Sequence, residues 1–303
     1  MTRAIATLQR ARAAVRLVSW RAVFAAGEVV APARAAQAAA DLWFTVPDRA
    51  VRSTAPAPGG AEFAVPGPFG RVVGTVWGTG RAVYFMHGWG GRGDQVGPLV
   101  HPLVARGYRV VTFDAPGHGR SSRDSTAARQ SNAVEFGEAL DRVVQRYGPP
   151  HAVVAHSLGA IATGVALHND WLSTERLVLV APLTEVGTQL DSFSRLLRLG
   201  ARVRARLPRE VRVHTGLTVG ELTLDHLMRS TPIERVLLIH DRDDRFTPYE
   251  ATAELAHSWP EAELMSTTGL GHARVLADPG VVERVIQSLD DATTSRTRVS
   301  AGR

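Results

Sequence analysis

From Ala61 onward the chain alternates short β-branched runs with helical segments: Arg71–Trp77, Ala82–Met86, Arg109–Phe113, Ala152–Ala155, Leu177–Val180, Val236–Ile239 and Ala262–Ser266. Several of these runs are apolar at successive positions, as strands must be when helices cover both faces of a parallel sheet. The expected class is therefore α/β, with a mostly parallel, doubly wound sheet. A chain of 303 residues could hold two domains of about 150 residues each. One α/β core carrying an insertion accounts for the same length, and a single continuous core is expected.

Two stretches break the alternation. Between Pro182 and Thr231 it lapses into helical, Arg-rich sequence, and the strand pattern resumes at Arg235-Val-Leu-Leu-Ile-His240. Residues 1–60 are rich in Ala and Arg, with helices expected over Arg3–Val30 and Ala33–Trp43 on either side of Pro32. The division that follows is an N-terminal helical extension (1–60), a core (61–182 and 231–291), a helical cap (183–230) and a polar, aperiodic tail (292–303). In the first helix Leu8, Ala11, Val15, Val18 and Ala22 form one apolar stripe, flanked by Arg3, Arg10 and Arg21 on one side and Arg12 and Arg16 on the other. Leu17, Trp20 and Phe24 lie opposite, so the helix is expected to be sandwiched. Packing on the body or on a dimer mate, an interfacial membrane helix, and a signal peptide ending near Ala33-Arg34-Ala35 are the three readings; Glu28 counts against the last.

The longest stretch without a charged residue, Tyr147–Asn169, has the length of a membrane span but contains Pro149, Pro150, His151, His156, Ser157 and internal glycines. A buried strand, a tight turn and a helix explain it better. The chain has no cysteine, which removes disulfides, thiol nucleophiles and Cys-ligated metals, and all 35 basic residues are arginine, which removes Schiff-base and P-loop lysine chemistry. The net charge of +6 is spread along the chain and no nucleic-acid reader motif accompanies it.

The sharpest local feature is Val153-Val-Ala-His-Ser157-Leu-Gly-Ala-Ile161, a strand that turns abruptly into a helix with serine at the vertex. Such a turn holds the serine in a strained conformation that aims its hydroxyl out of the sheet, and it needs small residues two before and two after, here Ala155 and Gly159. The following helix places its first N–H groups beside that hydroxyl. Serine is a weak nucleophile unless a third group orients a base beside it. Candidates follow two later strands: His240-Asp-Arg-Asp-Asp244-Arg-Phe-Thr-Pro248 and Thr268-Gly-Leu-Gly-His272.

With these motifs the chain resembles the α/β-hydrolase superfamily over roughly Ala61–Leu289. The resemblance implies the chain order serine, acid, histidine, with the acid four residues before a proline (Asp244, Pro248) and the histidine after a glycine (Gly271, His272). It implies a Ser157–His272–Asp244 triad and an oxyanion hole made by the backbone N–H groups of Trp89, in His87-Gly-Trp-Gly-Gly91, and Leu158. It also implies a structural loop at Asp114-Ala-Pro-Gly-His-Gly119. The set is similar to a group of bacterial hydrolases whose substrates are mostly unassigned; Ala155 departs from the glycine most members carry.

Competing readings stay open. Asp241, Asp243 and Glu185 are alternative acids, and the Asp241/Asp243/Asp244 cluster could bind metal but lacks the glycine and distal glutamate of a calcium loop. Gly88-Trp-Gly-Gly-Arg-Gly93 with Asp114 downstream spells a dinucleotide fingerprint, yet Pro98 and Pro102 predict a helix that starts too late. The expectation is a serine hydrolase acting on a small molecule, a carboxylic ester or related acyl substrate, through an acyl-enzyme, with no cofactor and no metal. The alternatives are a carbon–carbon bond hydrolase or cofactor-free perhydrolase on the same triad, and a binding protein on the same scaffold. Trp89 is expected to line the acyl side and favour small or medium acyl groups. Arg195, Arg198, Arg202, Arg204, Arg206, Arg209 and Arg212 form a solvated face or a dock for an anionic substrate or membrane surface. A cytoplasmic location is expected, with peripheral membrane contact through residues 3–30 and a homodimer left open, and no nucleic acid partner.

Overall fold

A computed structural model describes residues 2–47, 57–67, 70–121, 129–229 and 231–290, with side chains from residue 12 onward. The expected tail 292–303 lies outside the described residues, as do the side chains of Arg3, Leu8, Arg10 and Ala11. Helices α1 (Thr2–Val30) and α2 (Pro32–Phe44) precede strands β1 (Ala61–Gly67), β2 (Gly70–Trp77) and β3 (Ala82–Met86). Then come α3 (Gly97–Ala105), β4 (Arg109–Phe113), α4 (Ala133–Tyr147), β5 (Pro150–His156), α5 (Leu158–His168) and β6 (Arg176–Val180). Between β6 and β7 (Arg235–Asp241) lie α6 (Val186–Leu197), α7 (Ala201–Arg204), α8 (Leu207–Thr215) and α9 (Leu224–Met228). The chain closes with α10 (Tyr249–Ser258), β8 (Ala262–Thr267), α11 (Gly271–Arg274) and α12 (Pro279–Leu289).

All eight strands form one sheet in the order β1-β2-β4-β3-β5-β6-β7-β8. The pairs from β4 to β8 are parallel, while β1–β2 and β2–β4 are antiparallel. Each run read from the sequence coincides with a strand; β1, absent from those runs, is the antiparallel edge and is largely exposed. Strand alternation divides the core in two. Tyr84, Met86, Val153, Ala155, Leu177 and Leu179 face α4 and α5. Val83, Phe85, Val154, Val178, Leu237 and Ile239 face α3 and α12. The charge-free stretch Tyr147–Asn169 is accordingly the end of α4, then β5 and α5. No described helix is long and apolar enough to cross a membrane.

The extension packs on the cap. Phe24 is fully buried and stacks on Trp20, and Leu17 packs against the same core. Arg21 Nε donates to the carbonyl of Leu196 at 3.0 Å, and the Glu28 carboxylate accepts the N–H groups of Arg202 and Val203. Val15 and Val18, on the other apolar stripe, are 66% and 62% exposed. Within this chain the expected sandwich is therefore one-sided. Of that outer stripe the described side chains, Val15, Val18 and Ala22, are all exposed, while Trp20 and Phe24 take the packing against α6 and α7. The seven cap arginines are all exposed.

Candidate active site

The strand-to-helix vertex is held from three sides. Ser157 adopts φ 54° and ψ −122°, a region sparsely populated by non-glycine residues, which persists only where surroundings over-determine it. They do so here: Ser157 N donates to Val180 O at 3.2 Å, while its own carbonyl accepts from Ala160 and Leu183 N–H groups. The turn is so tight that a Cβ on Gly159 would lie 2.5 Å from the Met86 carbonyl oxygen. A Cβ on Gly88 would lie 2.7 Å from the Ser157 Cβ. Small residues around the serine are thus a steric requirement.

At the rim of the sheet the loops after β7 and β8 bring two further groups to the hydroxyl. His272 Nε2 lies 3.0 Å from Ser157 Oγ, and His272 Nδ1 lies 2.7 Å from Asp244 Oδ2. Residues far apart in sequence therefore form one hydrogen-bonded chain, which can move a proton from hydroxyl to imidazole beside a fixed negative charge. Asp244 has no exposed side-chain surface. Burial pushes its carboxyl up, but hydrogen bonds from His240, His272 and the Phe246 N–H outweigh that and hold it well below the usual carboxylate range.

The competing acids are engaged elsewhere. Asp241 accepts from Thr267 Oγ1 at 2.7 Å and from the N–H groups of Leu270 and Asp243, and Asp243 accepts from Gly269 N–H at 2.8 Å. These two carboxylates stitch the acid loop to the histidine loop. Glu185 lies exposed before α6, bonded to Thr188. The decoy glycine run opens a short 3-10 turn over Gly93–Val96, and α3 begins only at Gly97. Asp114 is occupied by the N–H groups of Gly93 and Arg120, so it shapes the loop.

Trp89 and Leu158, the expected oxyanion donors, both border the cavity that contains Ser157 and His272. The Trp89 loop is held by two neutral histidines: His87 Nε2 accepts Ala115 N–H at 2.9 Å, and His118 Nε2 accepts Gly90 N–H at 3.0 Å. Burial depresses both imidazoles, His118 to about 3, so neither gains a competing proton near neutrality.

Sequence reasoning missed four supporting groups. Thr247 Oγ1 donates to Asp244 Oδ2 at 2.8 Å, and His240 Nε2 lies 3.2 Å from the same oxygen, with its Nδ1 2.7 Å from Thr252 Oγ1. His156 Nε2 lies 2.9 Å from the carbonyl of His272. The available signals were positional: His240 ends the apolar part of its strand, His156 directly precedes the serine, and Thr247 follows Asp244 by three residues.

Comparisons with known proteins fit this geometry. The family described as "Serine aminopeptidase, S33" matches residues 79–247, more than half of the chain, and the family described as "TAP-like protein" matches residues 222–300. A serine hydrolase-like protein of Danio rerio is 29% identical over 144 residues, which cover 46% of this chain and 43% of that protein. A pimeloyl-[acyl-carrier protein] methyl ester esterase of Xanthomonas axonopodis pv. citri is 29% identical over 245 residues, 70% of this chain and 96% of that one. Among solved structures an esterase from Rhodococcus sp. ECU1013 superposes with TM-score 0.57 at 21% identity, covering 76% of this chain and 99% of that one. The chain belongs to the α/β-hydrolase superfamily, with an eight-stranded sheet carrying its serine, histidine and aspartate at one rim.

Proposed function

We propose that the protein is a serine hydrolase of carboxylic esters or related acyl substrates. Ser157 Oγ attacks the carbonyl carbon while His272 Nε2 takes its proton; the tetrahedral oxyanion is held by the backbone N–H groups of Trp89 and Leu158. The protonated imidazole then gives its proton to the leaving alcohol, and an acyl-serine ester remains. Water, deprotonated by His272, attacks that ester; the acid departs and the proton returns to Ser157. Asp244 holds the imidazole with Nδ1–H toward itself and stabilises its charged form.

The observation that carries this reading is the continuous hydrogen-bonded chain from Ser157 Oγ through His272 to Asp244, at 3.0 and 2.7 Å. The Xanthomonas relative, named as a methyl ester esterase, supports ester cleavage. A fluorophosphonate probe should label the wild-type protein and spare Ser157→Ala, and p-nitrophenyl esters should be hydrolysed by the first and not the second. Equal labelling of both would end the assignment.

A further inference from the structure

The cavity holding Ser157 has a volume of about 1120 Å³, just above the range of roughly 300–1,000 Å³ in which proteins bury drug-sized ligands. It is larger than the small or medium acyl groups expected from Trp89 alone require. One of its walls is not built by the hydrolase core. Trp43 and Phe44 of α2 line it together with Phe193 of α6 and Val211 of α8. Trp43 meets Phe193 edge to face at 5.2 Å, and Phe44 stacks on His214 at 4.6 Å.

This wall is fixed to the body. Ser131 N–H donates to the Phe44 carbonyl at 2.9 Å, Val46 N–H to the Arg129 carbonyl at 2.6 Å, and Gln130 Nε2 to the Asp41 carbonyl at 3.1 Å. The polar side chains that border the cavity near it are already engaged within the protein. Asn132 Oδ1 caps α4 and its Nδ2 donates to the His214 carbonyl. Thr215 Oγ1 donates to the Val211 carbonyl and Gln189 Nε2 to the Phe246 carbonyl. What the wall offers an occupant is aromatic and aliphatic surface, and burial of such surface is non-directional and grows with the area of the guest.

We propose that the N-terminal extension sets substrate choice, its α2 helix closing with the cap a chamber for a medium-to-long apolar chain on the substrate. This rests on the ester hydrolase reading for its chemistry, but the chamber and its wall are independent of the reaction. Trp43 and Leu42 of α2, both of which line the cavity, are the specificity-determining positions.

The test compares kcat/KM for p-nitrophenyl decanoate and p-nitrophenyl acetate in the full-length protein, Trp43→Ala and Leu42→Trp. The first variant removes apolar contact and the second fills the chamber from the same helix. In each the decanoate-to-acetate ratio is expected to fall about tenfold or more, the size of losing one large apolar contact. A ratio unchanged in both, whatever the absolute rates, overturns the proposal. Thermal melts identify a variant that fails to fold, in which case the other decides. A second arm measures binding of methyl decanoate and methyl butyrate to Ser157→Ala by calorimetry. Preference for the longer chain that Leu42→Trp abolishes supports the chamber even if the wild type hydrolyses no ester, an outcome that would sink the hydrolase reading alone. No chain-length preference in binding sinks the chamber alone.

Discussion

His156 Nε2 lies 2.9 Å from the carbonyl oxygen of His272, with the two rings 4.7 Å apart. A carbonyl only accepts, so Nε2 carries the proton, and Nδ1 is left buried without a hydrogen-bond partner among the described residues. Burial first, and the neighbouring His272 second, push the His156 imidazole down to about 3, and burial does the same to His118. Below about pH 6.5 the unfolded chain takes up protons at these histidines, while the folded chain resists until about pH 3. Stability contributed in this way is complete above about pH 6.5 and is lost as pH falls toward 3, because the unfolded state binds more protons across that window. Asp244, held low, adds its own loss only below about pH 4. Thermal melts between pH 7 and 4 should therefore show a falling Tm, and His156→Gln, which can still donate to the His272 carbonyl but cannot titrate, should flatten the slope. Parallel curves for the two proteins would contradict this.

One oxygen of Asp244 serves two imidazoles, His272 at 2.7 Å and His240 at 3.2 Å. Thr252 lies 2.7 Å from His240 Nδ1, an arrangement that leaves Nε2–H for the carboxylate. His240 is a positioning residue: it fixes the acid and draws off part of its charge. In His240→Leu the carboxylate loses a donor and gives its charge more fully to His272. The acid limb of the kcat/KM profile should move to higher pH, with kcat down about 10- to 100-fold as the acid loses its orientation. A fall in rate with an unmoved limb would mean the side chain only fills space.

Much of this arrangement was legible in the sequence, for identifiable reasons. Strands covered on both faces leave runs such as Val236–Ile239 that admit few other readings, and the elbow at Ser157 needs small neighbours wherever it occurs. Choosing Asp244 over Asp241 and Asp243 rested on register, since three carboxylates in four positions differ only in where their loop bends. The bend depends on Thr267, Gly269 and Leu270, which arrive from another strand. The extension was least legible. An Ala- and Arg-rich helix reads alike against a body, a mate or a lipid surface, and what decides it is whether a distant segment offers partners such as the Leu196 carbonyl and the α7 N–H groups.

Two glycines beside the serine should fail in different ways. A methyl group on Gly159 meets the backbone oxygens of Met86 and His87 at 2.5 and 2.8 Å, and neither can move without disrupting β3. Gly159→Ala should therefore cost about 1–3 kcal/mol of stability, measured by denaturant titration. A methyl group on Gly88 meets the Ser157 Cβ at 2.7 Å, its Oγ at 3.3 Å and the His156 carbonyl oxygen at 3.2 Å, contacts that a small recoil of the irregular loop carrying Trp89 would relieve without breaking a strand. Gly88→Ala should keep most of its stability and lose about 100-fold or more in kcat, because recoil carries a donor away from the oxyanion. The reverse pattern would show that the Trp89 loop does not serve the reacting carbonyl.

Glu28 ties the extension to the cap through two main-chain bonds, to Arg202 N–H at 2.8 Å and Val203 N–H at 3.0 Å. The Arg202 N–H bond is the chief reason its carboxyl lies below the usual range. Two such donors at the start of a helical turn suit a carboxylate, whose oxygens can each take one. Glutamine keeps one acceptor and alanine none, so local opening of the α1–α2 hairpin should increase from wild type to Glu28→Gln to Glu28→Ala. Arg34, exposed near the start of α2, provides a reporter. Under native conditions, where cleavage follows the population of the open form, trypsin should cut after Arg34 fastest in Glu28→Ala and slowest in wild type, with mass spectrometry following the N-terminal fragment. Equal rates in all three would place the anchor elsewhere, at the Arg21–Leu196 bond or in the Trp20–Phe24 packing.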